Sequence, residues 1–332
     1  MAETNIIKND RRLIVGIGSA LVDILIHEDD EFIEKTGSVK GGMTLVDNSW
    51  IEQTLALGSN TAAVVAGGSA CNTIVGVGQL GGKARFVGKC GTDKWGRQYE
   101  NDLGKQNVDA ALLRSDSPTG RVLSIITPDA QRTMFTYLGA SSETRPEEIT
   151  ARSFAGAAVV HVEGYLLFNP DLIQAALDAA KEAGALVSLD LASFTVVEQA
   201  LELLEKLVVD SVDILIANED EARAFTGQSD EKLALGALSE KASVAVLKVG
   251  PRGSHITHAG ESIHIQPMGD GTALDTTGAG DLWAAGFLFG LVNGYPLEKC
   301  GQLGSACGYE VCQVVGANIP DEGWKRIRKL LE

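Results

Sequence analysis

The segment Asp275-Thr276-Thr277-Gly278-Ala279-Gly280-Asp281 sets two carboxylates around a glycine-rich turn, and the apolar run Leu282-Trp283-Ala284-Ala285-Gly286-Phe287 follows at once. A turn that enters a helix presents unpaired N–H groups at the positive end of the helix dipole. Gly278 and Gly280 lack Cβ atoms, so a phosphate could approach that backbone closely. Asp281 stands at the mouth of this anion site, where a base must sit to deprotonate an attacking hydroxyl. Viewed alone, the same residues would also serve as an acidic helix cap with glycines needed only for the turn.

Four other segments carry residue types that suit the same chemistry. In Gly67-Gly68-Ser69-Ala70-Cys71-Asn72-Thr73, the paired glycines would let a ligand lie against the backbone, and Asn72 can both donate and accept. Asp23 lies just past the first strand, facing the crevice where open α/β sheets bind ligands, and could accept hydrogen bonds from two sugar hydroxyls. Asn218 and Glu221 could hold Mg²⁺ through water and orient phosphates, although an N-capping Asn followed by acids complementing the dipole has the same pattern. Lys248-Val249-Gly250-Pro251-Arg252-Gly253 offers glycines suited to close packing against a nucleotide, or equally a plain strand–turn–strand connection.

The elements that must position these residues read as an α/β chain. Short apolar runs at 13–17, 84–87, 157–162, 186–189, 213–217 and 244–249 predict buried strands. Helical periodicity is expected over 93–106, 171–183, 196–207, 220–226, 279–292, 297–315 and 324–331. Runs at 121–127 and 132–138 flank Pro128-Asp129-Ala130-Gln131 and predict a hairpin, with further β character at 43–46, 254–257 and 262–266. The regular alternation after residue 157 implies a parallel sheet covered by helices on both faces. No linker divides the chain, so the 332 residues read as one domain from which the hairpin and the 43–46 segment project.

Composition narrows the function classes. A net charge of −16 without a Lys/Arg block argues against a generic nucleic-acid binder. It also leaves backbone amides and Mg²⁺ to do most of any phosphate binding. Five cysteines without a CxxC pair read as free thiols in a reducing compartment. No apolar run approaches the ~20 residues of a membrane span, and the polar start lacks a signal peptide's apolar stretch, so a cytoplasmic protein with no membrane or nucleic-acid partner is expected. Gly76-Val77-Gly78-Gln79-Leu80-Gly81 matches the dinucleotide fingerprint by letter, but its glycines fall within or after a helix instead of opening one. No Walker A sequence and no HExxH spacing occur.

The glycine turn, the Gly67-Gly68…Asn72 segment, Asn218-x-x-Glu221 and Gly250-x-x-Gly253, in that chain order after Asp23, resemble the PfkB or ribokinase-like family of carbohydrate and nucleoside kinases. The resemblance spans nearly the whole chain. It implies a three-layer αβα domain over residues 1–332 with a mainly parallel sheet and a small β-sheet lid from about 24–48 and 119–140. By the same resemblance Asp281 is the general base, while Gly278, Ala279 and Gly280 form the backbone anion hole. Asn218, Glu221, Gly250, Gly253 and Thr277 serve the nucleotide, with Glu221 reaching Mg²⁺ through water. Asp23, Ser19, Gly67, Gly68 and Asn72 hold the acceptor. Asp275 and Thr277, with carbonyls near 316–318, match part of a K⁺ site.

Gly18-Ser19-Ala20-Leu21-Val22-Asp23, the 129–134 segment, Leu138-Gly139-Ala140 and Glu163-Gly164-Tyr165-Leu166-Leu167-Phe168 are similar to the adenosine-kinase branch. There Arg132 would reach the transferring phosphate and Tyr165 would line the base pocket. Ser19 replaces the Asn usual in that branch, and Leu166 the aromatic that often packs on adenine. The resemblance thus implies transfer from ATP, with Mg²⁺, to the 5′-hydroxyl of a ribonucleoside such as adenosine, by a monomer or homodimer. A free sugar as acceptor is the alternative.

Overall fold

The structure, a computed structural model, describes residues 6–7, 10–38, 40–57, 63–129, 131–269 and 271–332. Among these described residues, fourteen strands run in chain order: β1 (Leu13–Ile17), β2 (Leu21–His27), β3 (Met43–Leu45), β4 (Ala63–Gly67), β5 (Lys83–Gly91), β6 (Val108–Ser115), β7 (Gly120–Ile126), β8 (Arg132–Tyr137), β9 (Ala157–Glu163), β10 (Leu186–Asp190), β11 (Ile214–Asn218), β12 (Val244–Lys248), β13 (Ser254–His258) and β14 (Glu261–Ile265). Nine of them form one sheet in the order β14-β13-β12-β11-β10-β9-β1-β5-β6, parallel from β12 to β6 and antiparallel at the β13 and β14 edge.

The central strands are apolar on both faces because helices cover both. One core joins Val15, Ile17, Val160 and Leu189 to the helices Pro170–Glu182 and Leu201–Ser211. The other joins Ile14, Val159 and Ile216 to Ser69–Gln79, Ala279–Val292 and Leu297–Val311. The helix Ala279–Val292 is buried at every position from Leu282 to Val292, as expected of a helix apolar all round. Glycines let its neighbours close on it. A Cβ at Gly76 would lie 2.6 Å from Ala285 Cβ, and one at Gly286 would lie 2.4 Å from the Leu303 carbonyl. Gly76 therefore serves helix packing, and Gly78 lies against the 106–107 backbone, 2.4 Å from the Gln106 carbonyl for an added Cβ; both lie inside Ser69–Gln79 and do not open a helix as a dinucleotide fingerprint must.

The five remaining strands build a second sheet, β3-β8-β7-β2-β4. It takes more of the chain than the segments 24–48 and 119–140, because β2 begins at Leu21 and β4 adds Ala63–Gly67. Neither strand shows the alternation that marks a half-buried strand: β2 is buried on both faces apart from Asp23 and its last residue. The 121–138 hairpin is present as β7 and β8, antiparallel, with Ala130 at its tip outside the described residues. The stretch expected as one helix at 196–207 is two, Phe194–Gln199 and Leu201–Ser211. Ala200, with φ −118° and ψ 20°, breaks the helical path between them. No helix among the described residues is long and apolar enough to cross a membrane.

Candidate active site

Four neighbouring parallel strands end in groups able to do chemistry: Glu163 on β9, Asp190 on β10, Asn218 on β11 and Lys248 on β12. Register aligns Glu163 with Asp190 and Asn218 with Lys248, so the four form a row along the carboxyl edge, where open α/β sheets bind ligands. The helix Ala279–Val292 begins above this row.

Gly278 caps that helix with φ +74°, a left-handed conformation that glycine adopts without steric cost. A Cβ there would lie 2.6 Å from Ala317 Cβ. Gly278→Ala is therefore expected to destabilise the fold by about 1–3 kcal/mol, the usual cost of a strained backbone, as measured by urea unfolding. Wild-type stability would remove Gly278 from the set of residues the turn requires. Asp275 braces the turn from the other side. Its Oδ1 accepts from the Thr277 N–H at 2.9 Å and the Thr277 hydroxyl at 2.8 Å, and its Oδ2 accepts from the Gly316 N–H at 2.8 Å. Burial works against ionisation of Asp275, yet these donors hold its carboxyl below the usual range.

Asp281 follows on the first helical turn. Its Oδ1 accepts from the Ser69 hydroxyl at 2.8 Å and its Oδ2 from Asn72 Nδ2 at 2.9 Å. Burial pushes its carboxyl up to about 7, with Asp190 adding to the shift and the Asn72 and Ser69 hydrogen bonds opposing it. A carboxyl poised near neutrality and held by two oriented donors can accept a proton at working pH. Asn72 thus reaches Asp281 itself, and Ser69, not singled out from sequence, shares that task.

The paired glycines make room for the protein's own groups. A Cβ at Gly67 would lie 2.5 Å from the Asp23 carboxyl, and one at Gly68, where φ is +102°, would lie 2.3 Å from the Ser19 carbonyl. Asp23 is the third residue of β2, and burial pushes its carboxyl up to about 6 against the pull of Arg132. Glu163 fixes the same corner: its Oε1 accepts from the Ser19 N–H at 2.8 Å and its Oε2 from the Ala70 N–H at 3.0 Å. Burial also raises Glu163. Arg132, on β8, lies 4.0 Å from both Asp23 Oδ2 and Asp275 Oδ2 and donates to Ser124 Oγ at 2.8 Å. Its Nε and Nη1 are buried without a partner. Tyr165, two residues after β9, is half exposed; burial, then Glu163, Asp281 and Glu221, raise its phenol to about 12.

On the opposite side of the turn lies a cleft of about 730 Å³, lined by Asn218, Lys248, Gly250, Gly253, Ala279 and Gly280 among others. Its volume is that of a site for a cofactor-sized ligand. Asn218 and Glu221 form a reciprocal helix cap: Asn218 N–H and Nδ2 donate to Glu221 Oε2 and Oε1 at 2.8 and 2.7 Å, and Glu221 N–H donates to Asn218 Oδ1 at 2.9 Å. Burial and then Asp190 push Glu221 up to about 7. Gly253 permits close approach to β14, since a Cβ there would lie 2.0 Å from the Ile265 carbonyl, whereas Gly250 faces open space. Lys248 and Asp190, paired at 2.8 Å, were not anticipated from sequence. Their only signal is that each is a charged residue closing an apolar strand.

A glycine turn at a helix start with a carboxylate on one side and a cofactor-sized cleft on the other, set on a three-layer α/β core, suits transfer of a phosphoryl group to a small hydroxyl compound. Residues 30–323 match the pfkB family of carbohydrate kinases, and the chain belongs to that family. It is a phosphotransferase with a hydroxyl acceptor, and the family implies ATP as donor. It is 33% identical to the adenosine kinase of Sinorhizobium meliloti, covering 96% of this chain and 99% of that one with a TM-score of 0.86. A probable sugar kinase of Rhizobium etli CFN 42 is 31% identical, with 97% and 98% coverage and a TM-score of 0.87. A probable fructokinase-2 of Arabidopsis thaliana is 28% identical over 295 residues, 81% of this chain and 88% of that protein.

Proposed function

We propose that the chain phosphorylates the 5′-hydroxyl of a ribonucleoside, with adenosine the first candidate. The observation that carries this reading is the division of labour at one turn. Gly280 lines the donor cleft, while the carboxylate of the next residue, Asp281, is held by Ser69 and Asn72 beside Asp23 and Ser19. Similarity to the S. meliloti adenosine kinase over nearly the full length of both chains supports a nucleoside over a free sugar. The comparable similarity to a probable sugar kinase keeps the sugar as the second reading.

In the reaction, Asp281 takes the proton of the acceptor hydroxyl as that oxygen bonds to the γ-phosphorus. The bond from the γ-phosphorus to the β,γ-bridging oxygen breaks, and ADP leaves. The amides of Gly278–Gly280 and the guanidinium of Arg132 face the charge that develops on the phosphoryl oxygens. Asp23 orients the sugar hydroxyls, and Tyr165 borders the acceptor site. Closing the second sheet over the acceptor would exclude water and limit hydrolysis of ATP.

Glu221 fits Mg²⁺ through water: both of its oxygens are engaged by Asn218, and each keeps a lone pair for a metal-bound water. When bound, the ion would neutralise phosphate charge. Asp275 fits a K⁺ site less directly, since three donors already occupy its oxygens. A panel of nucleosides and free sugars, assayed by ADP release, tests the acceptor. Turnover with adenosine well above that with ribose or fructose is expected, and the reverse order would give the sugar reading.

A further inference from the structure

The acidic chain keeps one ammonium inside its donor cleft. Lys248 closes β12, its side chain is 13% exposed, and it lines the 730 Å³ cleft. A Cβ added at Gly280 would lie 2.9 Å from Lys248 Nζ, so the ammonium sits directly against the backbone of the anion-binding turn. It donates one of its three hydrogens to Asp190 Oδ2 at 2.8 Å, while Asp190 Oδ1 is fixed by the Ala192 N–H at 3.0 Å. Burial lowers the proton affinity of Lys248, but Asp190 and Glu221 outweigh it and raise the ammonium above its usual range.

A buried ion pair costs desolvation and is often no more stable than apolar residues of the same size. This one stands among Glu221, Asp281 and Asp190 at the mouth of a site that must receive a polyanion. Backbone amides supply dipoles but no net charge, and Lys248 adds a fixed positive charge to the lining of this cleft.

We propose that Lys248 is a ligand of the donor's phosphate chain, held ready by Asp190 and turning its remaining hydrogens to the β- or γ-phosphoryl oxygens when ATP binds. Asp190 is the positioning residue: it keeps the ammonium beneath Gly280 instead of letting it fold onto Glu221. The inference rests on the kinase reading and is indifferent to whether the acceptor is a nucleoside or a sugar.

The test uses the full-length chain without acceptor and measures binding of ATP, ADP and AMP by calorimetry. Lys248→Met is expected to weaken ATP about 10–100-fold, the loss of a charge-assisted hydrogen bond, while AMP stays within about twofold of wild type. Because that variant strands the Asp190 carboxylate, Lys248→Met with Asp190→Asn is measured beside it, removing both charges. It should fold and show the same ATP-selective loss. Equal losses for ATP and AMP in the double variant would make the pair a structural ion bridge, and unchanged ATP affinity would remove Lys248 from the phosphate site. Either result overturns the inference. Neither depends on the acceptor panel, which fails or succeeds on its own.

Discussion

Asp281→Asn is expected to lower kcat at least ~100-fold, the scale of a lost general base, with little change in ATP affinity. The carboxylate is held by Ser69 and Asn72 at 2.8 and 2.9 Å, and the amide keeps the shape but cannot accept a proton. The pH dependence follows from the raised carboxyl. A base at about 7 is ionised above that pH, so kcat/KM of the parent should fall with one proton below it. The apparent value belongs to the group of carboxylates, because Glu221 at about 7 and Asp23 at about 6 titrate nearby. Stability moves the opposite way. Asp281 binds its proton more tightly folded, at about 7, than unfolded, at 3.8, so its ionisation opposes folding fully above pH 7 and not at all well below 4. The stability of Asp281→Asn relative to the parent should therefore rise between pH 4 and pH 8, measured by denaturant titration. Unaltered turnover would dispose of the base assignment, and a flat stability difference would contradict the raised carboxyl.

Arg132→Met is expected to lower kcat about 100- to 1000-fold, as removal of a preorganised charge donor does in other enzymes. Arg132 has one committed donor, Nη2 to Ser124 Oγ, and two buried nitrogens without partners. Its two carboxylate neighbours stay at 4.0 Å, outside hydrogen-bond range. A buried guanidinium with unspent donors between the carboxylates of Asp23 and Asp275 is arranged for a ligand, since unmet burial is costly. Arg132→Lys should recover only part of the rate, because an ammonium lacks the planar fork. Both variants should fold, and kcat within twofold of wild type in Arg132→Met would leave the arginine a purely structural role.

Much of the site was legible in the chain because backbone chemistry leaves local marks. The turn from Asp275 to Asp281 is short, and its glycines and two carboxylates stand together within seven residues of sequence. The helix starting at Ala279 and the alternation after residue 157 were equally visible, since each period spans a single element. The strand β2 was not: its apolar residues are buried on both faces, and Asp23 interrupts the only pattern it has. The split at Ala200 escaped for a related reason, since both helices bury apolar residues at continuous helical spacing.

What residue type and local order determined by themselves was the glycine turn at a helix start, the carboxylate beside it and the α/β alternation that supports them. What only the tertiary structure decided was partnership. Asn72 and Ser69 reach Asp281 from more than 200 positions away, Glu163 ties Ser19 to Ala70, and Lys248 crosses to Asp190. A lone Glu, Asp or Lys at the end of a strand carries no sign of its neighbour. Parallel sheet pairing places such strand ends side by side, and burial then turns ordinary charges into groups with shifted proton affinities and directed hydrogen bonds.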